Sequence, residues 1–599
     1  MRSVPALVLS LLCVAAVASG ALAAPPAEPP GLEAVELVER IPGMGPDQGA
    51  TVALVDGEVA LLYLDGEQRV SFRRAGDRPV RLDEGPAVAR PGGKHLWLYE
   101  RPEGLFALWW RKQADGGKHL YLRRSADGGR TFEQAVKLNA AAGVLPTYGL
   151  ASDGQGRVAV AYHDERAPRY RIFVNVSHDG GKTWLDEDIR VDTAGNGKAF
   201  AVEPQLVFAG GRLVLTWKDR GGDGDRTRLM ARASDDGGLT WGQSRSLGEF
   251  QGFFTSDALV SGNGYLFLCG YVPDQGVTGY LSSDAGSSWQ EIGALPGTAP
   301  PEVSSASQIR AVVLDKSVAI VFSMGLAGRD GYRRTFKPRV MSAVFDPVAG
   351  KWKGAPVRLD TGKPHDLTAA LNGKIAVTSA GGLVAAWEDY RDIRPNIYVS
   401  HSSDGGRSWS ASRPIGDPGQ ALLAFPRLEA EEEGGDVLLF FDRFGDDARS
   451  ERAFEYAVLE VVEQGIANLP AFTEVPREAK EKRLRARAEA FWSLRKEGEH
   501  AKVFDYFDPG LRSRIERDSF AVSQRRLQYL DYEVKGAQIQ GNIAGVLTKV
   551  RVEVKPTQIK GQEFEMEPRE DLVPMEWVWV GDDWYAVYEG PAETRFLRY

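Results

Sequence analysis

One eight-residue pattern recurs between residues 125 and 409 and constrains the fold more than any other feature of the sequence. The pattern is Ser-x-Asp-x-Gly-x-Ser/Thr-aromatic, and its last copy reads Ser402-Ser-Asp-Gly-Gly-Arg-Ser-Trp409. The short carboxylate can accept hydrogen bonds from backbone N–H groups two or three residues on, and Gly406 allows a conformation that costs other residues free energy. Each copy lies between two strand-like runs, so the pattern predicts a turn between strands. Its aspartates are Asp127, Asp179, Asp236, Asp284 and Asp404.

This pattern is identified as the Asp box, the bacterial neuraminidase repeat of the sialidase family. In that family the box is a structural turn of a β-propeller, and its aromatic residue packs into the apolar layer between sheets. The resemblance therefore implies that the five box aspartates are structural rather than catalytic. It also implies that a ligand cleft lies at the end of the propeller away from the boxes.

The runs between the boxes predict units of four short strands. A single antiparallel sheet of this size cannot cover its own faces, so radial stacking of like sheets predicts a mainly β, multi-bladed propeller. Units without a box are expected at residues 50–84, 307–360 and 426–461. The repeat count gives about eight units if the strand Leu32–Glu39 closes the last sheet. Seven units are the alternative, and the catalytic sialidases have six.

A second motif combines Asp with Arg after the second strand of most units, as in His163-Asp-Glu-Arg166. Successive turns of an antiparallel sheet lie at opposite ends, so this motif is expected at the end without the boxes. Arginines there would suit a carboxylate or sulfate, which the guanidinium fork grips with two bonds. The alternative is that each Asp pairs with a nearby Arg and staples the propeller together. The candidate substrate-binding residues are Arg111, Asp164, Arg166, Asp219, Arg220, Asp389, Arg391, Arg427, Asp442 and Arg443.

The resemblance implies a specific catalytic machinery, which the sequence matches in one place. Sialidases hold the sugar carboxylate with three arginines and use a tyrosine nucleophile with an aspartate as acid/base. Their first arginine lies in an aromatic-Arg-Ile-Pro motif, which Glu39-Arg40-Ile41-Pro42 resembles with glutamate in place of the aromatic residue. Arg40 is therefore a candidate carboxylate ligand. No segment is assigned to the catalytic tyrosine or to the acid/base aspartate.

Two functions remain open at this point. The first is a sialidase-like propeller that binds acidic glycans, or another carboxylate-bearing ligand, and hydrolyses them if the machinery is complete. The alternative is a non-catalytic propeller that binds a protein or a cell-surface polymer. The seven histidines lack metal-ligand spacing and no cofactor motif is present, so neither a metal nor a cofactor is expected.

The first residues of the chain predict the cellular location of the protein. Residues 1–23 read as a secretory signal peptide, with Arg2, an apolar run over Val4–Ala18 and the cleavage site Ala21-Leu-Ala23. The apolar run is too short for a stable membrane span, so the protein is expected to be secreted or periplasmic. A net charge of −9 argues against a nucleic-acid partner. Residues 24–31 form a Pro-rich spacer before the propeller, which is expected over 32–465.

A change in composition predicts a further domain. A linker is expected over residues 466–475, followed by a helical segment and then strands over 476–599. Helices followed by a curved antiparallel sheet resemble the nuclear-transport-factor-2-like fold, an α+β cone with a pocket that often binds a ligand or dimerises. A third hypothesis makes this pocket the active part and the propeller its carrier. Trp577, Trp579 and Trp584 are expected in the core of the cone.

Overall fold

The structure is a computed structural model, and only part of the chain is described in it. Arg40, the predicted signal peptide and the spacer before Leu32 lie outside the described residues. The described residues are 32–35, 50–65, 69–74, 77–83, 96–113, 116–166, 170–193, 200–220, 226–252, 254–301, 303–330, 333–363, 368–420, 422–430, 436–444, 452–463, 465–512, 515–524, 527–559 and 562–587.

Eight antiparallel sheets, here called blades, follow one another along the chain. The first blade holds β2 (Ala50–Val55), β3 (Glu58–Leu64), β4 (Val70–Arg74) and β5 (Val80–Arg81). The second holds β6 (Leu96–Arg101), β7 (Gly104–Lys112), β8 (Lys118–Ser125) and β9 (Val136–Lys137). The third holds β10 (Val144–Ser152), β11 (Val158–Asp164), β12 (Arg171–Ser177) and β13 (Ile189–Arg190). The fourth holds β14 (Phe200–Ala209), β15 (Arg212–Arg220), β16 (Arg226–Ser234) and β17 (Arg245–Gln251).

The remaining blades repeat this order with small additions. The fifth holds β18 (Thr255–Gly262), β19 (Tyr265–Val272), β20 (Gly276–Ser282) and β21 (Gln290–Glu291). The sixth holds β22 (Val303–Leu314), β23 (Ser317–Asp330), β24 (Arg333–Asp346), β25 (Lys351–Trp352) and β26 (Val357–Arg358). The seventh holds β27 (Ala370–Val377), β28 (Leu383–Asp392), β29 (Arg394–Ser402) and β30 (Arg413–Pro414). The eighth holds β31 (Leu423–Ala430), β32 (Val437–Phe444) and β33 (Arg452–Leu459), completed by β1 (Leu32–Val35).

The blades form a closed ring. Strand β1 pairs antiparallel with β33, from Leu32 opposite Ala457 to Val35 opposite Phe454, so the start of the described chain supplies the outer strand of the last blade. Each blade shares a buried apolar layer with the next, and Val52 of the first packs with Phe440 of the eighth. In most neighbouring pairs of blades the first strands also pack together, so these strands lie on the inner side of the ring. The mainly β propeller is thus confirmed.

The start of the predicted linker packs against the propeller. Strands β34 (Val461–Val462) and β35 (Gly465–Ile466) pair with each other. Ile466, which the sequence analysis gives to the linker, is buried in the layer between the seventh and eighth blades. Arg413 holds the chain further on by donating to the backbone carbonyls of Leu469 and Pro470 at 3.0 and 3.1 Å. Apolar character at this one position therefore extends the packed propeller beyond residue 465.

The C-terminal segment folds into helices followed by a sheet. The helices are α1 (Arg477–Lys496), α2 (His500–Val503), a 3-10 turn (Phe504–Tyr506), α3 (Pro509–Arg512) and α4 (Arg517–Gln524). The antiparallel sheet has the order β36 (Leu527–Gln540), β37 (Ile543–Ile559), β38 (Gln562–Val580) and β39 (Asp583–Ala586). Leu484, Ala488 and Phe491 on one stripe of α1 share a core with Trp577 and Trp584. None of the helices in the described ranges is long and apolar enough to cross a membrane.

Candidate functional site

In each Asp box, other residues of the same turn donate hydrogen bonds to the carboxylate of the aspartate. In the third blade, Thr183 donates its backbone N–H to Asp179 Oδ1 at 2.9 Å and its hydroxyl to Oδ2 at 2.6 Å. Ser177 donates to the same carboxylate at 2.7 Å, and Gly181 N donates to Ser177 Oγ at 2.8 Å. Burial alone would raise the pKa of Asp179, but the bonds from Thr183 and Ser177 lower it to about 2. The other four boxes repeat this arrangement, so their aspartates are engaged in structural bonds.

The boxes mark one end of the propeller. They join the third and fourth strands of their blades, and the turns between the first and second strands lie beside them. Arg212, at the start of β15, donates to Asp235 in the box of its own blade at 2.6 Å and to the carbonyl of Ala285 in the next box at 3.3 Å. The second strands therefore end on the opposite side, here called the box-distal face, where the Asp/Arg motif was expected.

The motif of the third blade is a buried ion-pair network. The Arg166 guanidinium contacts Asp164 Oδ2 at 2.8 Å and both carboxylate oxygens of Asp188 at 2.8 and 2.6 Å. It also lies 3.9 Å from the centre of the Phe173 ring, and Tyr162 donates its hydroxyl to Asp188. Asp164 is fully buried. Every group in this network binds another group of its own blade.

The seventh blade repeats this network. Arg391 contacts Asp389 Oδ2 at 2.8 Å and donates to the carbonyl of Thr361 at 2.9 Å. Lys363 lies 3.3 Å from the other oxygen of Asp389, and Trp387 donates to that carboxylate at 3.1 Å. Burial acts to raise the pKa of Asp389, but Arg391 and Lys363 hold it below its usual range.

The other motif residues are also engaged. Arg220 lies 3.1 Å from Glu203, and Arg443 lies 2.8 Å from Glu455. Asp219 accepts a bond from Trp217 Nε1 at 2.8 Å, and burial raises its pKa. Of the remaining candidates, Arg111 and Asp442 are buried and Arg427 is half-buried. The guanidinium groups of Arg166, Arg220, Arg391 and Arg443 are therefore bound to carboxylates of the protein, as the stapling alternative expects.

A set of polar contacts between several of the blades lies next to the motif and was not found from the sequence. The inner strands carry a bulge residue in the left-handed region, at Glu203, Gln308, Asn372 and Phe425. Side chains connect these bulges from blade to blade: Asn372 N donates to Gln308 Oε1 at 2.7 Å. Glu388, in β28, accepts from Asn372 Nδ2 at 2.7 Å and from Phe425 N at 2.8 Å. We call these contacts and bulges the polar belt.

The belt position on the second strand holds a different residue type in each blade, which is why no repeat was visible. Lys218, Ser323 and Glu388 occupy it in three of the blades. In the eighth blade the position belongs to Asp442, because Ala424 just before the bulge pairs with Asp442 as Val202 pairs with Lys218. In the strand register Asp442 is therefore equivalent to Lys218 and not to Asp219. Comparing the blades by residue position along the second strand, instead of by residue type, could therefore have identified the polar belt.

The belt is ionic where the third, fourth and fifth blades meet. The fully buried Lys218 amine contacts the carboxylates of both Glu203 and Asp257. Arg220 binds the second oxygen of Glu203 at 3.1 Å. The Glu203 side chain is 40% exposed and its φ is 57°, which is a costly conformation for a residue other than glycine. We call these residues, together with His163, the ionic arc.

His163 is the unsatisfied member of the arc. It is nine-tenths buried, and its Nδ1 has no hydrogen-bond partner. Its ring stacks on Tyr170 with centroids 5.9 Å apart, and Tyr170 itself is 41% exposed. Burial lowers the pKa of His163 to about 4 although Glu203 and Asp164 act in the opposite direction. The imidazole is therefore neutral at physiological pH and can donate or accept one hydrogen bond toward a ligand.

Within the described ranges no group of three His, Cys, Asp or Glu side chains could hold a metal ion. An apolar cavity of about 80 Å³ lies at the box end between the fifth and sixth blades, lined by Tyr265, Phe267, Leu314 and Pro347 among others. It contains none of the candidate residues, so its size alone does not make it the functional site.

Solved structures with a similar fold include carbohydrate-active enzymes. The polysaccharide lyase Uly1 is 13% identical over 63% of this chain and 92% of its own, with a TM-score of 0.39. A PL25 ulvan lyase is 12% identical over 70% and 96%, with a TM-score of 0.39. The α-L-arabinofuranosidase Arb93A of Fusarium graminearum is 15% identical over 53% and 93%, with a TM-score of 0.33. At these identities and TM-scores the similarity carries no conclusion about function.

Sequence comparison gives a more specific result. No curated protein sequence matches the chain. Residues 65–304, which span the last two strands of the first blade and the second to fifth blades, match the model of one domain family. Three further blades follow this matched region. Residues 65–304 of this chain are therefore similar to the BNR repeat-like domain.

Proposed function

We propose that the protein binds a glycan on its box-distal face, through the ionic arc and Tyr170. The observation that carries this proposal is His163, a nine-tenths buried imidazole whose Nδ1 has no partner. A buried polar atom left unpaired costs about 1–3 kcal/mol, and a ligand hydroxyl that reaches it would remove this cost. On the signal-peptide prediction, we place this binding outside the cytoplasm.

The arc offers the groups that a sugar needs. Burial acts to raise the pKa of Glu203, but Lys218 and Arg220 hold it below its usual range, so its partly exposed carboxylate stays ionised and accepts hydroxyl protons in hydrogen bonds. His163 adds a neutral donor or acceptor. The exposed Tyr170 ring beside it supplies a flat apolar surface on which a sugar ring can stack.

The charges of the arc favour a ligand bound through hydroxyl groups. Lys218 and Arg220 both contact the carboxylate of Glu203, and Lys218 also contacts Asp257. Two cations thus face two carboxylates, and no excess positive charge is left for a sugar carboxylate. The acidic-glycan hypothesis depended on free arginines, and the described motif arginines are bound within the protein.

Glycan titration of a Tyr170→Ala variant tests the proposal. We expect wild type to bind a neutral polysaccharide in calorimetric titration, and the variant to bind it at least about tenfold more weakly because the stacking surface is lost. Leu239→Ala is the matched control, since Leu239 is 43% exposed on an Asp box at the other end. Equal affinities for wild type and Tyr170→Ala, or no binding in a panel of neutral and acidic polysaccharides, would refute the proposal.

An assay with an aryl α-sialoside addresses hydrolysis. We expect no turnover, because the three-arginine grip of a sialidase needs guanidinium groups that Arg166, Arg220 and Arg391 have committed to their own carboxylates. Product release measured by absorbance, with a heat-denatured sample as the blank, is sufficient. Turnover above that blank would restore the sialidase hypothesis and direct attention to Arg40.

A further inference from the structure

The C-terminal domain is docked on the box-distal face at the seventh blade. Arg394, at the start of β29, forms an ion pair of 3.1 Å with Asp508, which directly precedes α3. Gly581, in the turn between β38 and β39, donates its backbone N–H to the carbonyl of Gly419 at 2.9 Å. Asn542 adds a third contact by donating to a backbone carbonyl of β28 at 3.1 Å. The contacts are polar, directional and spread over three elements of the domain.

The two glycines make this contact geometrically strict. Gly419 has a φ of 81°, and a Cβ added there would lie 3.0 Å from the nitrogen of Gly581. Gly581 has a φ of 64°, and a Cβ there would lie 2.7 Å from Gln420. Gly419 combines the left-handed region with a close approach of backbone, which only glycine tolerates without a shift. At Gly581 the close neighbour is the end of the Gln420 side chain, so there the left-handed backbone conformation is what favours glycine.

Asp392 lies beneath the docked domain. The residue is 5% exposed and accepts a hydrogen bond from the Tyr398 hydroxyl at 2.8 Å. Its other carboxylate oxygen faces Asn542 Nδ2 at 3.4 Å across the domain boundary. Asn542 is in turn held by Lys480 of α1, whose amine donates to Asn542 Oδ1 at 2.6 Å. The carboxyl group thus contacts both domains.

The other charged groups around Asp392 come from both domains. Asp389 and Arg391 belong to the same strand and are paired with each other. Lys480 approaches from the C-terminal domain and Arg394 lies two residues along the chain in its ion pair with Asp508. No cation in the described ranges forms an ion pair with Asp392 within 4.0 Å.

We propose that protonation of Asp392 strengthens the docking of the C-terminal domain, so that the domain is a pH-dependent cover over the box-distal face at the seventh blade. The inference concerns the contact between the domains and holds whether or not the site binds a glycan. With the domain seated, access to the face at the seventh blade is blocked. With the domain released, that sector of the face opens.

The direction follows from linkage between protonation and docking. Burial raises the pKa of Asp392 to about 6 in the docked state, and Asp389 adds to the rise, while Tyr398, Arg391 and Lys480 oppose it. Release exposes the carboxyl group to water and returns its pKa toward the ordinary value. The docked state therefore binds the proton more tightly, so docking strengthens as the pH falls below about 6 and is weakest above it.

Hydrogen exchange at the Gly581 amide tests this directly, because its hydrogen bond crosses the boundary. After correction for the intrinsic effect of pH, we expect protection in the full-length protein to be at least about fivefold higher at about pH 5 than at about pH 7.5. The Asp392→Asn variant, which carries a neutral side chain at every pH, should be highly protected at both. Equal protection of the wild type at the two pH values, or an unchanged pH dependence in Asp392→Asn, would overturn the proposal.

Two further variants separate docking from folding. Asp346→Asn, at the box end of the sixth blade, should keep the pH dependence of the wild type. Arg394→Glu should lose protection at Gly581, and combining it with Asp508→Arg should restore protection by reversing the ion pair. If the single variant fails to fold, the reversed pair still decides the question, since unprotected Gly581 in the folded double variant would show that this ion pair does not hold the domain.

Discussion

Replacing Lys218 with methionine is expected to lower the free energy of unfolding by about 3 kcal/mol. The Lys218 amine is fully buried and is the shared partner of Glu203 and Asp257. Methionine keeps most of the side-chain volume but leaves two carboxylates facing each other without a cation, and breaking a buried pair in this way is costly. The lower end of the usual range applies because Glu203 is 40% exposed and water can solvate it in part.

Urea-induced unfolding at neutral pH measures this change. Lys137→Met is the matched control, since Lys137 is an exposed lysine on the fourth strand of the second blade and its loss should change stability by less than about 0.5 kcal/mol. The Lys218 variant should also bind glycan more weakly, because Glu203 loses the cation that orients it. A Lys218→Met protein as stable as the control would show that the arc does not join the blades.

The sequence was sufficient for the propeller because each repeat carries its own local signal. The box at Ser177–Trp184 fixes a turn through bonds that span only four residues, so its presence locates a strand on each side. Closure of the propeller by the N-terminal strand could be predicted by counting strands. The last unit of the sequence has one strand too few for a blade, and Leu32–Val35 supplies it. Apolar periodicity in α1 likewise located Leu484 and Phe491 on the buried side of the helix.

The site could not be predicted in the same way, because its chemistry depends on partners distant in the sequence. Arg166 binds Asp164 nearby, but whether its guanidinium is free depends on Asp188 in a later segment. A ligand-binding arginine and a stapling arginine have the same sequence pattern, so the motif left both alternatives open. His163 and Lys218 each precede the motif aspartate, although one is neutral and the other is charged. Their different residue types conceal that both lie at the same end of the propeller.

Replacing Arg166 with methionine is expected to destabilise the propeller by about 3–5 kcal/mol without reducing glycan affinity in the molecules that remain folded. The guanidinium is the ion-pair partner of Asp164 and Asp188, whose side chains are 0% and 3% exposed. Methionine would leave both carboxylates buried, with the Tyr162 hydroxyl still donating to Asp188. The stacking on Phe173 would also be lost. Stability is measured by urea unfolding. Affinity is measured by glycan titration in buffer without urea, at a temperature well below the melting transition.

Arg130→Met is the control for this experiment, because Arg130 is an exposed arginine of an Asp box whose one described bond is to a backbone carbonyl. Its replacement should alter stability by less than about 0.5 kcal/mol. The two measurements on Arg166→Met distinguish the two roles of the motif. If the arginine only holds the propeller together, its replacement lowers the stability of the protein and leaves the glycan affinity unchanged, since the guanidinium does not contact the ligand. Replacing an arginine that binds the ligand lowers glycan affinity with little loss of stability. That result would place the binding site at the Asp/Arg motif instead of the ionic arc.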